Sequence, residues 1–311
     1  MEWYWILLIS IASLFALVVV ILFVLAIIGF KTAFSRDDPH PFDQIDLKGT
    51  KYEGFEDLIL PAFQYMRPIP YEDCWIESFD GLKLHAKYYK GKTDKLVFMV
   101  HGYHADPLNN FAIAGRRFLE DGYSLFIIDQ RAHSISEGKW TTFGVHESKD
   151  VLKWMEYIDL TIKPSMMIAY GVSLGCASLE LASSSRMPES LKCLILDCGY
   201  ASPLDQMKES FYKKLGILGK VVVQLFFPLV CPMIGKFNIL KKCYKELEKA
   251  SVPCFFVHGG RDSMVPLEEG EKNYNHCNAR KEKAFFPDSE HNSCFMMHED
   301  EIVSKLNAFL D

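Results

Sequence analysis

Apolar and polar positions fall into three regimes along this chain. In the first, residues 3–30 contain no charged side chain, and Ser10 and Ser13 are the only clearly polar ones. A helix of about 20 apolar residues crosses a bilayer, so the pattern predicts a transmembrane anchor over residues 1–30. Trp3, Tyr4 and Trp5 suit the aromatic belt at a membrane interface. A cleaved signal peptide would need a basic start, a shorter apolar core and small residues before the cut. Here Glu2 is the only early charge, the core is longer, and no A-x-A closes it.

The second regime, residues 31–68, carries Asp37, Asp38, Pro39, Pro41 and Gly49. It reads as a linker with one short helix around residues 56–66.

From residue 69 to 311 short apolar runs alternate with helical spacing. Residues 71–78 and 82–89 flank Phe79-Asp80-Gly81, which predicts a β-hairpin. Apolar runs at 95–100, 124–128, 166–170, 191–196, 254–257 and 283–286 predict strands. Residues 109–120, 146–158, 268–278 and 300–310 have helical periodicity. The alternation implies an α/β fold with a doubly wound, mostly parallel sheet. In such sheets chemistry sits at the carboxyl ends of the strands. Residues 201–250 interrupt the pattern and predict a helical cap inserted over those ends. Their most apolar part, 221–235, is broken by Pro228 and Pro232. A second membrane span and a lid touching the bilayer are its rival readings.

Composition narrows the classes. A chain of 311 residues that is 49% hydrophobic can bury a large core, and a formal net charge of −6 argues against a nucleic-acid surface. The 9 cysteines are scattered, with no paired C-x-x-C spacing. They read as reduced core residues, which points to a reducing compartment. Lys31 and Arg36 follow the apolar span and no Lys or Arg precedes it, so the positive-inside rule places the following domain in the cytoplasm.

The candidate chemistry centres on Gly171-Val172-Ser173-Leu174-Gly175, between a predicted strand and a helix. Strand, G-x-S-x-G, helix is the signature of a nucleophile elbow. The turn needs residues without Cβ at Gly171 and Gly175, and its strain lifts the Ser173 hydroxyl above the sheet. A serine hydroxyl needs a histidine to take its proton and an acid to orient that histidine. Asp262, just past a predicted strand, and His291, in a loop after the last one, follow Ser173 in the order this arrangement requires. Asp197 also ends a strand and is the alternative acid. His101, His104, His133 and His258 read as structural, and His298 falls at the start of the last helix. The oxyanion of a tetrahedral intermediate needs preorganised N–H donors. The candidates are the backbone amides of Leu174 and of Tyr103, the latter beside Gly102. No metal is expected, because the cysteines lack paired ligand spacing, and no cofactor, because the glycine-rich elements lack phosphate-binding spacing.

Together, His101-Gly102, Asp129-x-Arg131-x-His133-x-x-Ser136, Gly-x-Ser-x-Gly, Gly-x-x-Asp and the late His291 resemble the α/β-hydrolases of the serine aminopeptidase (S33)-like, monoglyceride-lipase-like group. The resemblance covers residues 71–311. It implies cleavage of an ester, thioester or amide through an acyl-enzyme, with Asp129 and Arg131 in a loop that buttresses the site. The chain departs from the usual Asp-x-Arg-Gly-His-Gly-x-Ser at Ala132 and Ser134, where the group carries glycine. The expected partners are a small acyl ester and the membrane. An acyltransferase, an S33-type peptidase and a non-catalytic binding protein are the alternatives.

Overall fold

In the computed structural model, which describes residues 2–36, 47 and 53–311, eight strands form one sheet. They are β1 (Glu72–Glu77), β2 (Lys83–Tyr89), β3 (Lys95–Val100), β4 (Ser124–Asp129), β5 (Met166–Val172), β6 (Leu191–Asp197), β7 (Cys254–Gly259) and β8 (Lys281–Phe286). Their spatial order is β1-β2-β4-β3-β5-β6-β7-β8. The expected hairpin is present, with β1 antiparallel to β2 across Asp80-Gly81, and β2 is antiparallel to β4. Every other pairing is parallel. The doubly wound, mostly parallel sheet read from the apolar runs is therefore the observed one.

Burial on both faces explains why the parallel strands read as unbroken apolar runs rather than alternating ones. On β5, Ile168, Tyr170 and Val172 join one core cluster, while Met167 and Ala169 join the other. The first cluster takes residues of α2 (Glu56–Met66), α3 (Pro107–Glu120) and α10 (Cys294–Leu310). The second takes residues of α4 (Glu147–Thr161), α5 (Leu174–Ala182) and α8 (Cys243–Leu247), with Tyr274 of α9 (Leu267–His276) packed against it. All nine cysteines are free and buried.

The N-terminal segment runs further than the sequence pattern suggests. Helix α1 spans Trp3–Phe34, so it continues past residue 30 into the stretch read as linker. Most of it is exposed and apolar, but Ala26, Phe30 and Phe34 are fully buried. They enter a third cluster with the cap helices α6 (Pro203–Leu215) and α7 (Ile217–Val230) and with Leu174 and Ala177 of α5. Phe34 lies against Phe30, Phe143, Phe227 and Phe237 at ring-centroid distances of 4.8, 5.1, 5.9 and 5.5 Å. Full burial of each such side chain is worth about 1.5–3 kcal/mol.

Backbone hydrogen bonds extend the junction: Thr141 N–H donates to the Phe34 carbonyl and Arg36 N–H to that of Lys139. The short helix expected at 56–66 is α2, and its Ile59, Ala62, Phe63 and Met66 are core residues. Asp37, Asp38, Pro39, Pro41 and Gly49 lie outside the described residues.

Candidate active site

The strand-to-helix turn after β5 is as tight as its glycines suggest. A Cβ on Gly171 would stand 2.5 Å from the Gly175 carbonyl oxygen, and one on Gly175 would stand 1.9 Å from that of Val100. Ser173 between them has φ 53° and ψ −108°, a strained backbone for a residue with a side chain. Its N–H donates to the Asp197 carbonyl at the end of β6, fixing the turn to the neighbouring strand. Helix α5 begins at Leu174, so the first amides of that helix lie beside the hydroxyl. Ser173 is partly exposed while both its neighbours are buried.

Asp262 and His291 meet above the sheet. The Nδ1 of His291 lies 2.6 Å from Asp262 Oδ2. Oδ1 of Asp262 accepts from the amides of Met264 and Val265 at 2.9 and 2.8 Å. Burial works to raise the Asp262 pKa. The His291 hydrogen bond and charge and the Val265 amide outweigh it, holding the carboxyl below its usual range. A carboxylate fixed in this way orients the imidazole and stabilises it when protonated. Nε2 of His291 lies 3.9 Å from Cys198 Sγ, at the carboxyl end of β6. Asp197, the alternative acid, instead takes the Tyr170 hydroxyl at 2.9 Å on Oδ2.

The loop after β3 lies over the serine. A Cβ built on Gly102 would be 3.6 Å from Ser173 Cβ. Gly102 N–H donates to Asn110 Oδ1 at 2.8 Å. His101 is buried and structural: Nε2 accepts from the Gln130 amide, which leaves Nδ1 to donate to the Gly102 carbonyl. His133 is held neutral chiefly by burial, its pKa pushed well down. Its Nε2 can thus accept the His104 amide at 3.1 Å, while Nδ1 donates to the Arg131 carbonyl.

Asp129 and Arg131 stand behind the site. Asp129 Oδ2 binds His85 Nδ1 at 2.7 Å, and the Ser136 hydroxyl donates to the Asp129 carbonyl. Arg131 forks onto Asp150 at 2.6 and 2.8 Å and onto Asp80 at 3.0 Å on both oxygens. Burial opposes its charge, but the two carboxylates outweigh it and keep the guanidinium protonated. The loop they brace supports the Tyr103 loop through His133. Ala132 and Ser134, at the positions where the resembled group has glycine, adopt φ 59° and 46°. The conformation glycine usually supplies is therefore kept without glycine.

The end of α1 reaches the same loop. The Tyr103 hydroxyl donates to the Ala33 carbonyl at 2.9 Å, and His104 Nε2 lies 3.2 Å from the Ser35 carbonyl. Arg36 donates to the carbonyls of Ser134, Ser136 and Gly138. On the opposite side the cap holds the acid loop: Lys213 Nζ of α6 donates to the Ser263 carbonyl and Gln206 to that of Met264.

With the elbow, the carboxylate–imidazole pair and the strand order in place, the comparisons agree. The family model described as "alpha/beta hydrolase fold" matches residues 95–239. The chain has the α/β-hydrolase fold.

An esterase of Pyrococcus furiosus superposes on this hydrolase fold with a TM-score of 0.65 at 21% identity, over 88% of this chain and 98% of that one. An esterase of Exiguobacterium antarcticum does so with a TM-score of 0.57 at 16% identity, over 77% and 100%. An uncharacterized protein of Bacillus subtilis is 22% identical over 228 residues, 70% of this chain and 72% of its own length. An α/β-hydrolase domain-containing protein of Arabidopsis thaliana is 26% identical over 227 residues, 67% and 69%.

Cys198 is the neighbour of His291 that sequence reasoning missed. Its one signal is its place just after Asp197 at a strand end, and its φ of 46° turns the chain there. Cys198, Asp262 and His291 offer atoms within 4.8 Å of one another, a spacing that would admit a metal ion. However, the Asp262 and His291 atoms bind each other, so an ion there would have to break that pair. A groove of about 690 Å³ lined by Phe79, Lys149, Leu160 and Arg186 contains none of the candidate catalytic residues.

Proposed function

We propose that this chain is a membrane-anchored serine hydrolase that cleaves carboxylic esters through an acyl-enzyme. The observation that carries the reading is the 2.6 Å contact of His291 Nδ1 with an Asp262 whose other oxygen is tied down by two amides, beside the strained turn that presents Ser173.

In the first half-reaction Ser173 Oγ bonds to the substrate carbonyl carbon, and its proton passes to His291 Nε2. The carbonyl oxygen becomes an oxyanion held by the amides of Leu174 and Tyr103. On collapse the carbon–oxygen bond to the alcohol breaks, and the His291 proton leaves with the alcohol. Water then repeats the sequence, freeing the acid and restoring Ser173. Asp262 remains a carboxylate throughout and stabilises the imidazolium.

The anchor is read from α1. It is 32 residues long with a mean hydropathy of 3.3 in its most apolar window. At 1.5 Å per residue its first 20 or so residues match a hydrocarbon thickness of about 30 Å. The remainder supports an anchor over a cleaved signal, because Ala26, Phe30 and Phe34 are fully buried in the catalytic domain. Lys31 and Arg36 after the span favour a cytoplasmic domain.

The test is a panel of esters, thioesters and amides of graded acyl length, given to the full chain in detergent or vesicles. Ester turnover lost in Ser173→Ala is expected. Turnover that survives in that variant, or activity confined to amides, would refute the reading.

A further inference from the structure

We propose that the exposed face of α7 is a lipid-contact surface that seats the catalytic domain on an anionic bilayer leaflet. The proposal rests on the reading of α1 as a membrane anchor.

The first argument is that α7 is apolar on both sides. Val222, Val223, Phe227 and Val230 are buried in the third core cluster. On the opposite side Leu218, Val221, Leu225 and Leu229 are exposed by 47, 37, 58 and 60%. Their spacing of three and four residues makes one stripe. A helix that faces water carries polar residues there. Between 217 and 235 the only polar side chains are Lys220 and Gln224.

The second argument is depth. Helix α1 packs along α7, with Phe23 and Phe226 at 6.0 Å between ring centroids. Twenty residues of helix separate Trp3 from Phe23, a rise of about 30 Å, the thickness of the hydrocarbon layer. A helix that enters the bilayer at Trp3 therefore leaves it where α7 touches it. The exposed stripe then meets the lipid boundary. By length and composition residues 203–235 would pass for a second span. The chain instead turns back at Gly216 (φ 62°), and α7 alone rises about 21 Å, too short to cross.

The third argument is charge. Exposed Lys214 and Lys236 flank the stripe at its two ends; no acidic residue lies between them in sequence, and Lys220 between them pairs with Glu209 of α6 at 2.9 Å. Apolar side chains framed by lysines suit an anionic leaflet.

The test uses the full chain in vesicles of phosphatidylcholine and phosphatidylglycerol, with an environment-sensitive fluorophore on a single introduced cysteine. The nine native cysteines are buried, so labelling goes to the new one. Nitroxide-bearing lipid should quench the label at Leu225→Cys as it does at Leu14→Cys in the anchor, and not at Leu160→Cys on α4. Quenching at Leu14 with none at Leu225 would overturn the lipid surface and leave the anchor standing. Quenching at neither would overturn both. A Leu225 label shielded from nitroxide lipid and from aqueous iodide alike would mean that a protein covers the stripe, and the lipid assignment fails. The double variant Leu225→Asp/Leu229→Asp should turn over a short soluble ester as before and a vesicle-embedded ester about tenfold more slowly. Equal rates on both substrates would contradict the proposal.

Discussion

Replacing Phe34 by alanine should unfold the catalytic domain at a distinctly lower temperature, although residue 34 belongs to the N-terminal apolar helix. The ring is fully buried between Phe30, Phe143, Phe227 and Phe237. Truncating a buried phenylalanine removes its transfer free energy and leaves a cavity, together about 3–5 kcal/mol. For a domain of this size each kcal/mol lowers Tm by about 2–4 °C, so a fall of about 6–20 °C is expected. The assay is thermal unfolding of the full chain in one detergent, followed by near-ultraviolet circular dichroism. Phe15→Ala is the control, because that ring is 70% exposed and meets only detergent. Ester turnover should also fall in Phe34→Ala below its Tm, since the Tyr103 hydroxyl is tied to the preceding Ala33 carbonyl. A Tm within about 1 °C of the parent would refute the reasoning, because a cost of 3 kcal/mol or more could not be hidden. The end of the helix would then not be part of the folded domain.

Three further outcomes are expected. Asp262→Asn should lower kcat by about 10⁴ with little change in Tm, whereas Asp197→Asn should cost far less; the reverse order in steady-state kinetics would reassign the acid. Ser134→Gly should raise stability by about 0.5–1 kcal/mol, because glycine tolerates the φ of 46° that serine strains to hold; denaturant unfolding measures it, and a loss of stability would contradict it. Glu180 is fully enclosed on α5, bonded by Asn273 at 2.8 Å, and burial pushes its carboxyl up to about 8. A pKa raised on folding contributes stability that is complete below the ordinary carboxylate pKa and is lost as pH rises through the raised one. Glu180→Gln should therefore gain Tm relative to the parent between pH 5 and pH 8 and stay level above; a Tm difference independent of pH would refute this.

The tight turn at Ser173 and the strands themselves were legible because they depend on local rules. Apolar runs mark buried parallel strands, and two glycines flanking a serine between strand and helix leave few other structures. The hairpin at Asp80-Gly81 was legible for the same reason. The end of α1 was not. Periodicity reports which residues leave water, not whether lipid or protein receives them. Ala26, Phe30 and Phe34 look like the exposed apolar residues before them, and only the folded chain shows the cap and Phe143 closing over them. Ala132 and Ser134 show how contacts override a local rule. They depart from the glycines of the resembled group, yet Arg131 and the Arg36 guanidinium brace the loop and both residues keep a left-handed φ. Cys198 and Glu180 are placed by contacts between elements far apart in sequence, which no local pattern encodes.

The central claim is that Ser173 is a nucleophile activated by His291 and Asp262. A fluorophosphonate probe followed by peptide mass mapping tests it most directly. The account predicts one adduct, on Ser173, formed by the parent chain, absent from Ser173→Ala and slowed by orders of magnitude in His291→Ala. A folded parent chain left unlabelled, or an adduct on any other residue, would contradict it.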